Sequence, residues 1–461
     1  MSCVATLLFL IGVAPEIAAG EAEDDSSTGV AAEVGYGVLG EDSFLNLRLK
    51  FGYARQVPTV GCEDDEGECK TRLRVTAQAP LRLRLVDRAP REDSLLRRRD
   101  WDEVADFFRV ARRVQYGESG EVVHARFGEL GPISLGHGTL VHDYYNVITV
   151  DHFQPGFYAE TNTLYGGAEL LADNVVSPSV LGARGYLRPL SFVDDDHLFA
   201  QLALGASLVS DIDAPTRLAS ANEQPEAVVD RTYRPAVDRE QTTSLWGVDL
   251  EMPVVETERF DLMPYTDLNG HTSLGMGLHT GAFANYRTEE ELEFSGRLEH
   301  RLVGRDYLPA YVSTLYAIDR FQYTGWGAQL PAPKVRVAAS LDKEAAHGFA
   351  ASLTARHEQM FRVTAGYADH QGPDNATAHL RASGNPIEEV ELGAYYYKQN
   401  MGGISDFFDP QGSLAVGEMR AQIYGPVSIH GTYGRLWRVN EQGEYRTVDD
   451  WSVGVGASRQ F

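Results

Sequence analysis

Long hydrophobic runs are scarce in this sequence. After residues 3–14, CVATLLFLIGVA, no apolar stretch is long enough to cross a bilayer as a helix, so a helical membrane protein is excluded. Basic residues are in deficit, 41 Lys plus Arg against 66 Asp plus Glu, and the net charge of −25 argues against a nucleic-acid partner, whose phosphates it would repel. Catalytic signatures are missing as well. There is no G-x-S-x-G, no phosphate-binding Walker loop and no H-E-x-x-H, so neither an enzyme nor a cofactor is expected.

Cysteine is rare, three in 461 residues, and Cys3 falls in the apolar N-terminal run. That run is followed by Ala18, Ala19 and Gly20 and then by acidic residues, the pattern of a secretory signal peptide over 1–20, although its usual positive start is lacking. Cys62 and Cys69, in CEDDEGEC, are then spaced for a local disulfide in an oxidising compartment. The acids between them do not follow the alternating ligand order of a calcium loop.

Tryptophan is sparse at five residues, but 22 Tyr, 19 Phe and 45 Gly favour strands and turns. The pattern that recurs is alternation with period two. In SFLNLRLKFGYA (43–54), Leu45, Leu47, Leu49, Phe51 and Tyr53 share one face, and Asn46, Arg48, Lys50 and Gly52 the other. TRLRVTAQAPLRLRL (71–85) repeats it, and later segments such as 198–208, 292–302, 349–355 and 451–457 behave alike, with turn signals such as GPDN and DPQG between them. Stretches this long exceed the usual strands of a sandwich. Their apolar faces end in aromatics and their polar faces carry charge, which is what a lipid-facing barrel with a wet lumen requires. In lipid every backbone polar group must be paired internally, so strands cross only as a closed barrel.

The last eleven residues, WSVGVGASRQF, place Trp451, Val453, Val455 and Phe461 on one face. This resembles the C-terminal signature of Gram-negative outer-membrane β-barrel proteins, porin-like ones included, with Arg459 departing from the usual apolar residue. The resemblance implies an all-β transmembrane antiparallel barrel in the bacterial outer membrane. It also implies contact with outer-membrane lipid and lipopolysaccharide, and recognition by the barrel-assembly machinery. The alternation suggests 16–18 strands over 43–461, with 21–42 a short N-terminal segment.

Three segments stand out within that frame. Arg72, Arg74, Arg82 and Arg84 would form a basic ladder on the lumen wall, either paired with wall carboxylates or favouring anions. DWDEVADFFRVARR (100–113) reads as a helix with acids first and bases last, and Trp101, Phe108, Arg109, Arg112 and Arg113 would then plug or constrict the pore. GELGPISLGHGTLVHDYYN (128–146) brings four glycines together with His137 and His142, a spacing that fits no zinc pattern and suggests close backbone approach at a constriction. Residues 209–243 read as a long surface loop. The expected activity is porin-like passage of small hydrophilic solutes, anions among them. The alternatives are a plugged barrel serving an envelope machine for surface polysaccharide or motility, and a barrel-embedded hydrolase.

Overall fold

Alternation becomes strand along most of the chain. The computed structural model describes residues 26–60, 70–88, 93–192, 198–219, 228–272, 275–289, 291–325, 331–339, 345–357 and 360–460. The expected signal peptide, the Cys62–Cys69 pair and Phe461 lie outside these described residues.

The strands run in chain order. The first three are long: β1 (Ser26–Leu39), β2 (Asp42–Pro58) and β3 (Lys70–Val86). Five short ones follow: β4 (Arg113–Tyr116), β5 (Val123–Gly128), β6 (Gly156–Thr163), β7 (Gly166–Ala172) and β8 (Val180–Leu187). Then come β9 (Ala203–Leu218), β10 (Val237–Glu251), β11 (Val255–Glu256), β12 (Phe260–His271), β13 (Met276–Arg287) and β14 (Leu292–Val303). The rest are β15 (Ala346–His357), β16 (Phe361–His370), β17 (Ala376–Ile387), β18 (Val390–Met401), β19 (Ser413–Tyr424), β20 (Val427–Val439) and β21 (Tyr445–Gln460).

Neighbours in sequence pair antiparallel, and β21 returns to pair with β1, from Gly29 opposite Gln460 to Leu39 opposite Asp450, closing the ring. Because β10 and the two-residue β11 both pair with β12, the barrel has twenty staves. That exceeds the expected 16–18, because β4–β8 are 4–8 residues long and too short for alternation to register. The barrel also starts at Ser26 rather than 43. In β1, SSTGVAAEVGYGVL, small residues dilute the polar face. The surface loop expected over 209–243 shrinks to 219–236, since β9 and β10 extend through its polar flanks.

Facing follows the pleat. On β14 the outward Leu298 is 65% exposed, whereas its inward neighbours Arg297 and Glu299 are 7% and 1% exposed. Outward Leu49, Leu353, Val453 and Val455 belong to the same apolar exterior, and Tyr36 packs edge-on against Trp451 within it. This closed sheet with an apolar exterior is a transmembrane β-barrel. At the end where the termini lie most turns are short, for example 164–165, 388–389 and 425–426. The other end carries the long connections 87–112, 129–155 and 304–345.

Candidate functional site

The buried apolar residues sit inside the ring. One cluster joins Leu130, Leu135, Val141 and Tyr144 of connection 129–155 to Tyr307, Tyr311, Val312 and Tyr316 of connection 304–345, and to the wall at Tyr158, Val209 and Leu245. A second joins Ile148, Leu315, Ile318 and Phe321 to Tyr395, Leu414, Trp437 and Tyr445. Both connections therefore fold into the lumen and meet there. They run side by side: Val141 and Val312 form a parallel bridge. The Ala310 N–H donates to the Thr139 carbonyl (2.9 Å), Val312 N–H to Leu140 (3.1 Å) and His142 N–H to Val312 (2.9 Å). This small ladder satisfies backbone groups that would otherwise be buried unpaired.

The glycines of 128–146 let the first connection lie against the wall. Gly136 takes a left-handed φ of +55°, and a Cβ there would stand 2.8 Å from the Arg184 side chain. Its N–H donates to Glu169 (3.0 Å). Next to it, His137 stacks on Tyr265 with ring centroids 4.2 Å apart. Its Nδ1 meets Asp267 at 2.7 Å and its Nε2 meets Glu251 at 2.5 Å. Burial alone would lower its pKa, but the hydrogen bonds and charges of Asp267 and Glu251 outweigh that and hold it at about 9. Thr139 also donates to Asp267 (2.6 Å). His137, Asp249 and Asp267 bring potential ligand atoms within 4.8 Å of one another, yet Asp249 is engaged by Arg184 at 2.7 Å.

The second connection is anchored by α2 (Tyr316–Asp319) and α3 (Lys334–Ala338). Tyr316 donates to Asp211 (2.7 Å), and Arg320 pairs with Asp211 (2.8 Å) and Asp213 (2.6 Å) of β9. Lys334 reaches Asp319 at 3.5 Å and lies over the rings of Tyr311, Tyr316 and Tyr323.

Two chambers with charged groups on their walls flank this assembly. One, of about 110 Å³, is bordered by His142, Asp143, Arg301, Lys334, His379 and Gln399. The other, of about 280 Å³, is bordered by Arg48, Arg82, Arg109, Arg112, Glu129 and Asp450. Between them stand Asp143 and Tyr145 with Tyr395 and Arg381. Arg381 donates to Tyr145 Oη (2.6 Å), Tyr145 stacks on Tyr395 (5.2 Å), and Thr314 donates to the Asp143 carbonyl (2.9 Å).

The ladder arginines sit on the polar face of β3, where Arg74 meets Glu118 (2.6 Å), Arg82 meets Asp100 (3.0 Å) and Asp450 (3.5 Å), and Arg84 meets Asp87 (3.1 Å). Arg72 has no ion pair among the described residues. The helix expected over 100–113 is reduced to one turn, α1 (Val104–Phe107), between 3-10 turns at Arg98–Asp100 and Phe108–Val110. Its capping box is Glu103 with Asp106, because Asp100 is buried against Arg82, Arg97 and Arg109 and cannot cap. Phe108 packs edge-on against Phe127 of β5 and Trp101 against Phe107, while Arg109 and Arg112 border the larger chamber. Arg113 is the first residue of β4. Trp451, Val453 and Val455 face outward on β21.

Sequence reasoning missed connection 304–345. Its signal was a dense aromatic series, Tyr307, Tyr311, Tyr316, Phe321 and Tyr323, in a segment with no alternating polar face.

No protein-family model and no curated protein sequence matches the chain. Among solved structures it is similar to OccAB3 of Acinetobacter baumannii, with TM-score 0.35, 9% identity, and 95% of this chain and 100% of that one covered. It is similar also to OccK5 (OpdH) of Pseudomonas aeruginosa, with TM-score 0.32, 11% identity, and 96% and 100% covered. The ferric enterobactin receptor PfeA of Pseudomonas aeruginosa gives TM-score 0.35, 8% identity, and 95% and 81% covered. The chain's own closed antiparallel sheet with an apolar exterior is that of a transmembrane β-barrel.

Proposed function

We propose that the protein is a narrow, selective channel of the bacterial outer membrane for small hydrophilic solutes, with its long connections on the outer side and its termini toward the periplasm. The observation that carries this reading is the divided lumen. Two inward connections separate two chambers, so a solute must displace or thread past the Asp143–Tyr145–Arg381 partition. A wide general pore would leave a continuous aqueous path.

Preference for anions is part of the proposal, carried by a different set of arginines from the ladder. Arg356 and Arg362 stand directly opposite each other in the β15–β16 pairing, on the lumen face, with Arg381 on the next strand. Like charges directly opposite destabilise a sheet, and the one carboxylate near both, Glu293 at 3.9 Å from Arg356, has two guanidiniums to serve. Planar-bilayer recordings test both parts. The channel is expected to give small, anion-selective steps, and Arg362→Gln to shift the reversal potential toward cation selectivity. Large unselective steps would overturn the reading. The plugged-barrel alternative is favoured by the ion pairs anchoring Arg320 and His137; silence of the wild type under every solute and voltage would support it instead.

A further inference from the structure

The ring is thin where β3 meets β4. Their pairing covers Leu73–Thr76 against Arg113–Tyr116 and stops. Further along β3, the next backbone bonds on that side are Arg97 N–H to the Arg82 carbonyl (3.1 Å) and Arg84 N–H to the Leu95 carbonyl (2.7 Å). Between them Gln78 and Pro80 have no ladder partner on this edge among the described residues, and Pro80 brings no N–H that would need one. The gap lies within the apolar belt. Its lower limit, Val75, is opposite Tyr53, and its upper limit, Leu83, is opposite Leu45, itself opposite Tyr36.

Residues 98–112 cover this gap without forming a strand, although irregular backbone does not ordinarily face lipid. The segment is two-sided. Val104 and Phe107 are 68% and 62% exposed, and Phe108 and Val110 are exposed too. Arg109 and Arg112 point the other way and border the 280 Å³ chamber beside Arg82, with Arg112 donating to Gln78 (2.9 Å). The present partners of these guanidiniums include Asp100 and Asp106 for Arg109, Glu129 for Arg112, and Asp100 and Asp450 for Arg82. Arg109 Nε is buried without an acceptor among the described residues.

We propose that the seam between β3 and residues 98–112 is a lateral portal to the bilayer. An amphiphile with a carboxylate or phosphate head places that head among Arg82, Arg109 and Arg112, while its tail stays in the membrane against Val104, Phe107 and Val110. The proposal does not rest on axial passage of solutes.

Leu83 and Leu96 form an antiparallel bridge across the seam, so a cysteine pair there locks it. The test uses Leu83→Cys/Leu96→Cys in an otherwise cysteine-free chain, with a photo-cross-linking residue replacing Gln78, reconstituted in vesicles carrying radiolabelled hexadecyl phosphate. A heat-shifted band on a gel verifies folding, and the reduced form is its own control. Expected are labelling in the reduced form, loss to background on oxidation, and recovery on reduction. Equal labelling in both forms would overturn the portal. So would no labelling in the reduced form while the same probe marks a lipid-facing control at Leu353. Competition by ethyl phosphate as effective as that of unlabelled hexadecyl phosphate would assign the chamber to a soluble anion and overturn the amphiphile.

Discussion

His137 and Arg320 hold the two inward connections to the wall through charge, and each can be released separately. The His137 imidazole is held up at about 9, above its ordinary 6.5, by Asp267 and Glu251. A raised pKa contributes docking that is fully present below 6.5 and lost as the pH rises through about 9. Bilayer current through the wild type should therefore grow as the pH passes from neutral beyond about 9, and His137→Asn should remove that pH dependence. A flat wild-type profile would disprove the role. Arg320→Ala leaves Asp211 and Asp213 facing each other without their cation, a loss of about 3–5 kcal/mol for a broken buried pair. Limited proteolysis should then cut within 307–325 in an intact barrel.

At the level of elements, the exterior and the lumen obey opposite rules along one strand. Leu353 of β15 faces lipid and Ser352 faces the chamber side. Leu353→Arg should lower stability by about 2–4 kcal/mol if it sits near the bilayer midplane, whereas Ser352→Arg should cost far less. Urea titration in vesicles separates the two. This same alternation made the staves legible in the sequence, since Leu45 through Tyr53 and Leu73 through Leu85 state their faces directly. It failed at β4–β8, where four to eight residues are too few to show a period and the glycines of GELGPISLGHG belong to packing inside the lumen. It failed again over 100–113, where acid-first, base-last spacing suggests a dipole-matched helix. There Asp100 instead serves Arg82, Arg97 and Arg109 at once. The Gly/His block was recognisable as close-packed backbone. Its docking partners Glu251 and Asp267 lie more than a hundred residues away, and no local pattern points to them.

For the molecule as a whole, an acidic chain with a net charge of −25 pairs lumenal arginines such as Arg82, Arg184 and Arg297 with carboxylates of the wall and of the connections. Heat-modifiable migration on a denaturing gel should accompany every folded variant described above. The central claim is that connections 129–155 and 304–345 divide the lumen. Its most direct test is single-channel conductance of the purified wild type beside a variant in which 307–338 is replaced by a short Gly/Ser connector. The division predicts small or absent steps for the wild type and steps several-fold larger for the variant, with both migrating as folded barrels. Large steps of equal size in the two proteins would contradict it.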